Sequence, residues 1–181
     1  MRYFLAIEPD SRCKLAIETW RDKSLPAFNS PVPVCNFHIT LAFYGRITEA
    51  QLEQICQFMD QQTEVKTFDL RLDMQGYWSK PKAFWIGCKT VPDELLSLAK
   101  IGRKAARVAN IPLQNQTYIP HLTLARKCAV EPPCALIEPD FEVKIKEFSL
   151  YESVSTESGV RYFKRFSWPL GRVNLCIIFE Q

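Results

Sequence analysis

The sequence predicts an α+β fold, and three observations carry that prediction. Segments with strand character outnumber helical ones, the helical stretches fall irregularly among them, and two strand-like segments late in the chain are joined by one polar connection. The strand segments are 2–8, 37–44, 66–75, 82–89, 118–126, 141–152, 160–168 and 172–179, rich in Phe, Tyr, Val and Ile and partly alternating. Segments 141–152 and 160–168, with Ser153–Gly159 between them, read as a hairpin with a longish loop. The pattern suits antiparallel sheets with helices on one face better than a regular βαβ array.

Three helices are expected. Ser11 reads as an N-cap ahead of an amphipathic helix with Leu15 and Trp20 on its buried stripe. Thr48 and Gln51 form a capping-box pattern, and Leu52, Ile55, Cys56 and Met59 recur at helical spacing behind it, so a second helix runs from about 49 to 62. Pro92 opens the third and longest, with Leu95, Leu98, Ala99, Gly102 and Ala106 on one side. The Pro-containing stretches 26–33 and 130–139 are short enough to be connections, so no domain boundary is proposed and residues 1–181 form one domain.

Composition narrows the function classes. The chain has 181 residues, 47% of them hydrophobic, but no run approaches the roughly 20 apolar residues of a membrane span. The opening MRYFLAI meets Glu8 and Asp10 at once and reads as a first strand. Seven scattered cysteines without a C-x-x-C pair suggest reduced thiols in a cytoplasmic protein. The two histidines stand 83 residues apart with no cysteine at ligand spacing, so neither metal nor other cofactor is expected. A net charge of +3 permits an anionic ligand without demanding one.

Those two histidines share a context. Phe37-His38-Ile39-Thr40-Leu41-Ala42-Phe43 aligns without a gap on Pro120-His121-Leu122-Thr123-Leu124-Ala125-Arg126. With nine threonines in the chain, the chance that both histidines carry Thr at +2 is about one in four hundred. On a strand, residues i and i+2 share a face about 7 Å apart, so each motif presents an imidazole with a hydroxyl. Two such strands side by side would make a cage for a phosphate, with threonine hydroxyls donating to its oxygens and the imidazoles moving protons at neutral pH. Ile39, Leu41, Leu122 and Leu124 point the other way, into the packing layer.

These residues resemble the 2H phosphoesterase superfamily, defined by two His-x-Thr/Ser motifs. Within it they are most similar to the bacterial RNA 2',3'-cyclic phosphodiesterases, also called 2'-5' RNA ligases. The opening R-Y-F-L-A-I, the segment from Gly76-Tyr-Trp-Ser to Ala83-Phe-Trp-Ile-Gly87 and the ending L-Y-E-S…G-V-R-Y…W-P-L extend the likeness over nearly the whole chain. The resemblance implies a bilobal α+β fold of two pseudo-symmetric lobes, interleaved in sequence. Each lobe has an antiparallel sheet with helices on its outer face, and the active-site cleft lies between them.

It also implies metal-independent hydrolysis of an RNA 2',3'-cyclic phosphate end to a 2'-phosphomonoester, with reversible 2'-5' ligation. His38 would be the general acid protonating the 3' oxygen and His121 the general base for water, with Thr40 and Thr123 on the phosphate. Phe43 and Arg126, five residues after each histidine, would sandwich the terminal base by stacking and cation–π contact. Strict alternation points both away from the histidine face, so this role requires a bulge or strand end. Tyr44, Tyr77, Trp78 and Tyr162 are further candidates for lining an RNA groove, although strand aromatics more often fill cores. The implied partners are RNA ends or nucleotides bearing cyclic phosphate, tRNA halves among them, acted on by a monomer. Action on 2'-5' oligonucleotides or small phosphodiesters, and non-catalytic binding of RNA ends, stay open as alternatives.

Overall fold

The computed structural model describes residues 2–62, 65–114, 116–157 and 159–171. In chain order the elements are β1 (Arg2–Ile7), α1 (Ser11–Ser24), a 3-10 turn (Val34–Asn36), β2 (Ile39–Gly45), α2 (Glu49–Asp60), β3 (Phe68–Leu72), β4 (Met74–Trp78), β5 (Ala83–Gly87), α3 (Asp93–Val108), β6 (His121–Ala125), β7 (Phe141–Ile145), β8 (Glu147–Thr156) and β9 (Gly159–Pro169). The architecture is α+β, as expected. One sheet runs β4-β5-β6-β2-β1-β8-β9, every neighbouring pair antiparallel, and β3 pairs with β7 separately.

The order of the long sheet reflects the internal repeat. A strand–helix–strand unit, β1-α1-β2, lies beside a second, β5-α3-β6, and the two inner strands meet at one registered position, Ile39 with Leu122. Strand β8 returns to the far side of β1, and β4 flanks β5. The motif strands thereby become neighbours at the junction of the two halves.

Each helix buries a stripe in one continuous core with Leu5, Ile7, Ile39 and Leu124 of the sheet. Phe4, Ala6 and Tyr151 form a small separate cluster with Tyr162. Helix α2 starts with the capping box read from the sequence: Thr48 Oγ1 accepts from Gln51 N at 3.2 Å and Gln51 Oε1 accepts from Thr48 N at 3.0 Å. Helix α3 buries Leu95, Leu98, Ala99, Gly102 and Ala106 as expected. Gly102 allows the close approach, because a Cβ there would lie 2.9 Å from the Ala42 Cβ of β2.

Several boundaries differ from expectation. Asp10, not Ser11, caps α1, its Oδ1 accepting from Cys13 N at 2.8 Å. Leu15 is 56% exposed, because the buried stripe is Ile17, Trp20, Arg21 and Ser24. That i, i+3, i+4, i+7 pattern contains an arginine, which a reading of apolar spacing skips. Segment 66–75 divides at Asp73 into β3 and the start of β4, and 141–152 divides at Lys146 into β7 and β8, so that each half serves a different sheet. The β8–β9 ladder extends to Thr156 and Gly159, so the hairpin connection is shorter than expected. The expected strand 172–179 lies outside the described residues. No described helix is long and apolar enough to cross a membrane.

Candidate active site

Both histidines are fixed by the same device. His38 Nδ1 lies 2.7 Å from the Asn36 carbonyl and His121 Nδ1 lies 2.8 Å from the Ile119 carbonyl, in each case two residues back. A carbonyl only accepts, so Nδ1 carries the proton in both rings. In the neutral form Nε2 is then the basic nitrogen. His38 Nε2 is 3.1 Å from Thr40 Oγ1, whose hydroxyl donates to it.

Aromatic walls complete the two imidazole sites. Phe4 and Tyr162 flank His38, with ring centroids at 4.9 and 5.0 Å. Trp78 meets His121 edge-on at 4.4 Å, and Trp85 lies behind at 6.2 Å. Gly76 makes room for Trp85, since a Cβ at that position would sit 2.3 Å from the indole. Burial pushes the His38 imidazole down to about 4; its donation to the Asn36 carbonyl opposes this, and the charges of Arg126, His121 and Lys14 add to it. His121 is also lowered, first by burial and further by Arg126, against the Ile119 hydrogen bond. The imidazoles therefore lie within electrostatic reach of each other and of one guanidinium.

Two cavities open on this site, of about 850 Å³ beside His121 and about 620 Å³ beside His38, and Thr40 and Phe43 line both. Thr123 follows His121 on β6 but walls neither cavity. Phe43 is 54% exposed and Arg126 borders the His38-side cavity. The required bulges are present in both strands. Ala6 registers with Thr40 and Leu5 with Ala42, leaving Leu41 as the extra residue; Trp85 registers with Thr123 and Phe84 with Ala125, leaving Leu124. Leu41, Ala42, Leu124 and Ala125 are all buried, so each strand changes phase and returns Phe43 or Arg126 to the cleft face.

Of the further aromatic candidates, Trp78 and Tyr162 join the site. Tyr44 is largely buried, its hydroxyl donating to the Gly102 carbonyl at 3.1 Å, yet it borders the His121-side cavity; Tyr77, which donates to the Cys128 carbonyl at 3.1 Å, lines neither cavity. Sequence reasoning missed Asn36 and Arg21. Asn36 is buried and ties the 3-10 turn to β9 by donating from Nδ2 to the Val160 carbonyl at 2.8 Å. Arg21 donates from Nη1 to the Val32 carbonyl at 2.8 Å and the Leu124 carbonyl at 3.4 Å, beneath the second bulge. The signal for Asn36 was its place two residues before the motif histidine; Arg21 had none beyond its helical spacing.

The cavity walls are chemically one-sided. The chain has 23 basic and 20 acidic residues. Yet Lys80 and Arg103 on one side and Arg2, Arg126 and Lys127 on the other face the cleft, and among the described residues no Asp or Glu lines either cavity. Such a cleft favours an anion held between two imidazoles of fixed tautomer.

The chain is similar to known proteins over most of its length. The family model described as LigT-like phosphoesterase matches twice, over residues 7–85 and 86–162, dividing the chain between the two halves of the repeat. The RNA 2',3'-cyclic phosphodiesterase of Escherichia coli K12 is 29% identical over 173 residues, covering 93% of this chain and 96% of that protein. The protein of the same name from Thermotoga maritima is 26% identical over 173 residues, covering 90% and 91%. The crystal structure of E. coli LigT complexed with 3'-AMP superposes with a TM-score of 0.86 at 29% identity, over 94% of this chain and 98% of that one. The chain belongs to the LigT-like phosphoesterase family.

Proposed function

We propose that this protein hydrolyses 2',3'-cyclic phosphate ends of RNA to 2'-phosphomonoesters by two-histidine acid/base catalysis. The observation that supports it most is the pairing of the two motif strands, each with an imidazole whose Nδ1–H is locked on the carbonyl two residues back. Each ring thereby keeps Nε2 for the substrate. Relatives over nearly the full length are named RNA 2',3'-cyclic phosphodiesterases, and a LigT structure holds 3'-AMP.

In the mechanism, His121 Nε2 takes a proton from water as the water oxygen attacks phosphorus. The bond to the ribose 3' oxygen breaks, and His38 Nε2–H supplies that oxygen with a proton, leaving the phosphate on the 2' oxygen. Burial lowers both imidazoles below the ordinary histidine range. The anionic diester supplies the missing counter-charge, raises both and lets one proton reside on His38. The Thr40 hydroxyl then turns from His38 to a non-bridging oxygen, joined by Thr123 from the other strand, where negative charge accumulates. Phe43 and Arg126 hold the terminal base between them. A ribose 5' hydroxyl in place of water gives the 2'-5' ligation reaction, and the larger cavity beside His121 has room for such an alcohol.

The whole chain acts as one domain, with β8 and β9 returning to the β1 half. Both motifs come from one chain, so a monomer suffices. The six described cysteines are free thiols, in keeping with work in the cytoplasm on RNA fragments such as tRNA halves. The test is hydrolysis of a cyclic-phosphate RNA end with the product isomer identified. A 2'-phosphate end is expected; a 3'-phosphate end would reverse the leaving oxygen and contradict the assignment.

A further inference from the structure

We propose that the cavity beside His38 holds a second nucleotide, the one preceding the cyclic-phosphate end, with its linking phosphate between Arg2 and Lys127. The inference rests on the function proposed above and extends it from a terminal nucleotide to an oligonucleotide. Beyond Phe43 and Arg126, which account for one base, the cavity of about 620 Å³ continues to Arg2, Lys127 and Tyr162. A terminal nucleotide alone leaves that part of the cleft without an occupant.

Several surface cations are tied to carboxylates or carbonyls, and others are not; Arg2 and Lys127 belong to the second group and share one cavity with His38 and Arg126. Lys14 and Lys164 bind Glu8, Arg71 binds Asp140, Lys144 binds Asp69 and Arg165 binds Glu152. Arg2 and Lys127 make no side-chain hydrogen bond or ion pair with any described residue, both are exposed, and no described carboxylate lines their cavity. Their positions are nonetheless built. Arg2 is registered with Ser153 in the β1–β8 ladder. Lys127 has a left-handed φ of +55°, which is unfavourable for a side-chain-bearing residue, and is held between two hydrogen bonds, Arg126 N to the Ser30 carbonyl at 2.9 Å and Cys128 N to the Lys82 carbonyl at 3.1 Å.

Tyr162 adds a surface for the second base or ribose. Its ring stands edge-on to both His38 and Phe4 at the cavity wall. A row of fixed cations beside an aromatic ring is the recognition chemistry of single-stranded RNA. The opposite cavity is less suited to a strand: Arg103 is engaged with the carbonyls of Gln114 and Gln116.

The experiment compares kcat/KM for 2',3'-cyclic AMP and for a diadenylate ending in a 2',3'-cyclic phosphate, in the native protein and in the double variant Arg2→Gln, Lys127→Gln. The native protein should prefer the dinucleotide by about ten-fold or more, through KM. The double variant should lose that preference, its kcat/KM falling about ten-fold further on the dinucleotide than on cyclic AMP. The slope of log kcat/KM against log salt for the dinucleotide should flatten by about 0.7, the value for one phosphate contact on a single strand. Equal rates on both substrates in the native protein, or equal losses on both in the variant, would overturn the second site while leaving the hydrolase reading intact. No turnover of either substrate by the native protein would overturn both.

Discussion

Leu41 and Leu124 occupy the same place in the two motifs, three residues after the histidine, and each is the extra residue of a β-bulge. Without the bulges, alternation would turn Phe43 and Arg126 into the layer beneath the sheet. With them, an aromatic ring and a guanidinium stand on the same face as the histidines. Removal of either side chain should therefore weaken binding more than chemistry. Phe43→Ala and Arg126→Ala are each expected to raise KM for a cyclic nucleotide about 5- to 30-fold, the equivalent of roughly 1–2 kcal/mol of stacking or cation–π energy, with kcat changed far less. Steady-state kinetics on cyclic AMP and cyclic CMP check this, and a loss confined to kcat would refute the sandwich.

Proton inventory makes the second prediction. Both imidazoles lie below 6.5 in the free protein, His38 at about 4, whereas the reaction needs one proton on the pair. Above the higher of the two values, kcat/KM should fall about ten-fold per pH unit as pH rises. The kcat profile should hold to higher pH, because bound phosphodiester raises the same imidazoles. Coincident profiles for kcat and kcat/KM would argue that substrate charge does not set the protonation state.

Stability should follow the same groups. His38 has a folded pKa below its unfolded value, so its contribution is complete above about pH 6.5 and is lost as pH falls toward 4. The melting temperature should drop across that interval, and His38→Gln should flatten the drop. An unchanged pH dependence in the variant would place the acid sensitivity elsewhere.

Arg21 links α1 to the second bulge. Arg21 is 5% exposed, and its guanidinium lies 5.7 Å over the Phe37 ring and reaches the Val32 and Leu124 carbonyls. Arg21→Met should cost about 1–3 kcal/mol in chemical denaturation, because the Val32 carbonyl loses its buried donor. It should also raise KM by loosening Arg126, which follows Leu124 by two residues. Arg21→Lys should recover only part of both losses, since an ammonium lacks the planar fork. Loss of stability with KM unaltered would show that Arg21 serves the core alone.

The legible part of the molecule was the part that repeats or alternates. The capping box at Thr48, the apolar stripe of α3 and the twin His-x-Thr motifs are local patterns, and each occupies the place its spacing implies. The breaks at Asp73 and Lys146 were not legible, because each falls within a strand-like run whose halves pair with different partners. The bulges could be required from the sequence but not located, since their register is set by β1 and β5 across the ladder. Arg21 was invisible because its value lies in carbonyls contributed by residues 32 and 124.

The most direct test of the two-histidine account is turnover of 2',3'-cyclic AMP in the presence of EDTA, with the product isomer resolved by phosphorus NMR, for the native protein, His38→Ala and His121→Ala. The account predicts 2'-AMP from the native protein, undiminished by EDTA, and a loss of at least about 10²-fold in kcat in each variant. Activity that survives either substitution, or that EDTA abolishes, would contradict it.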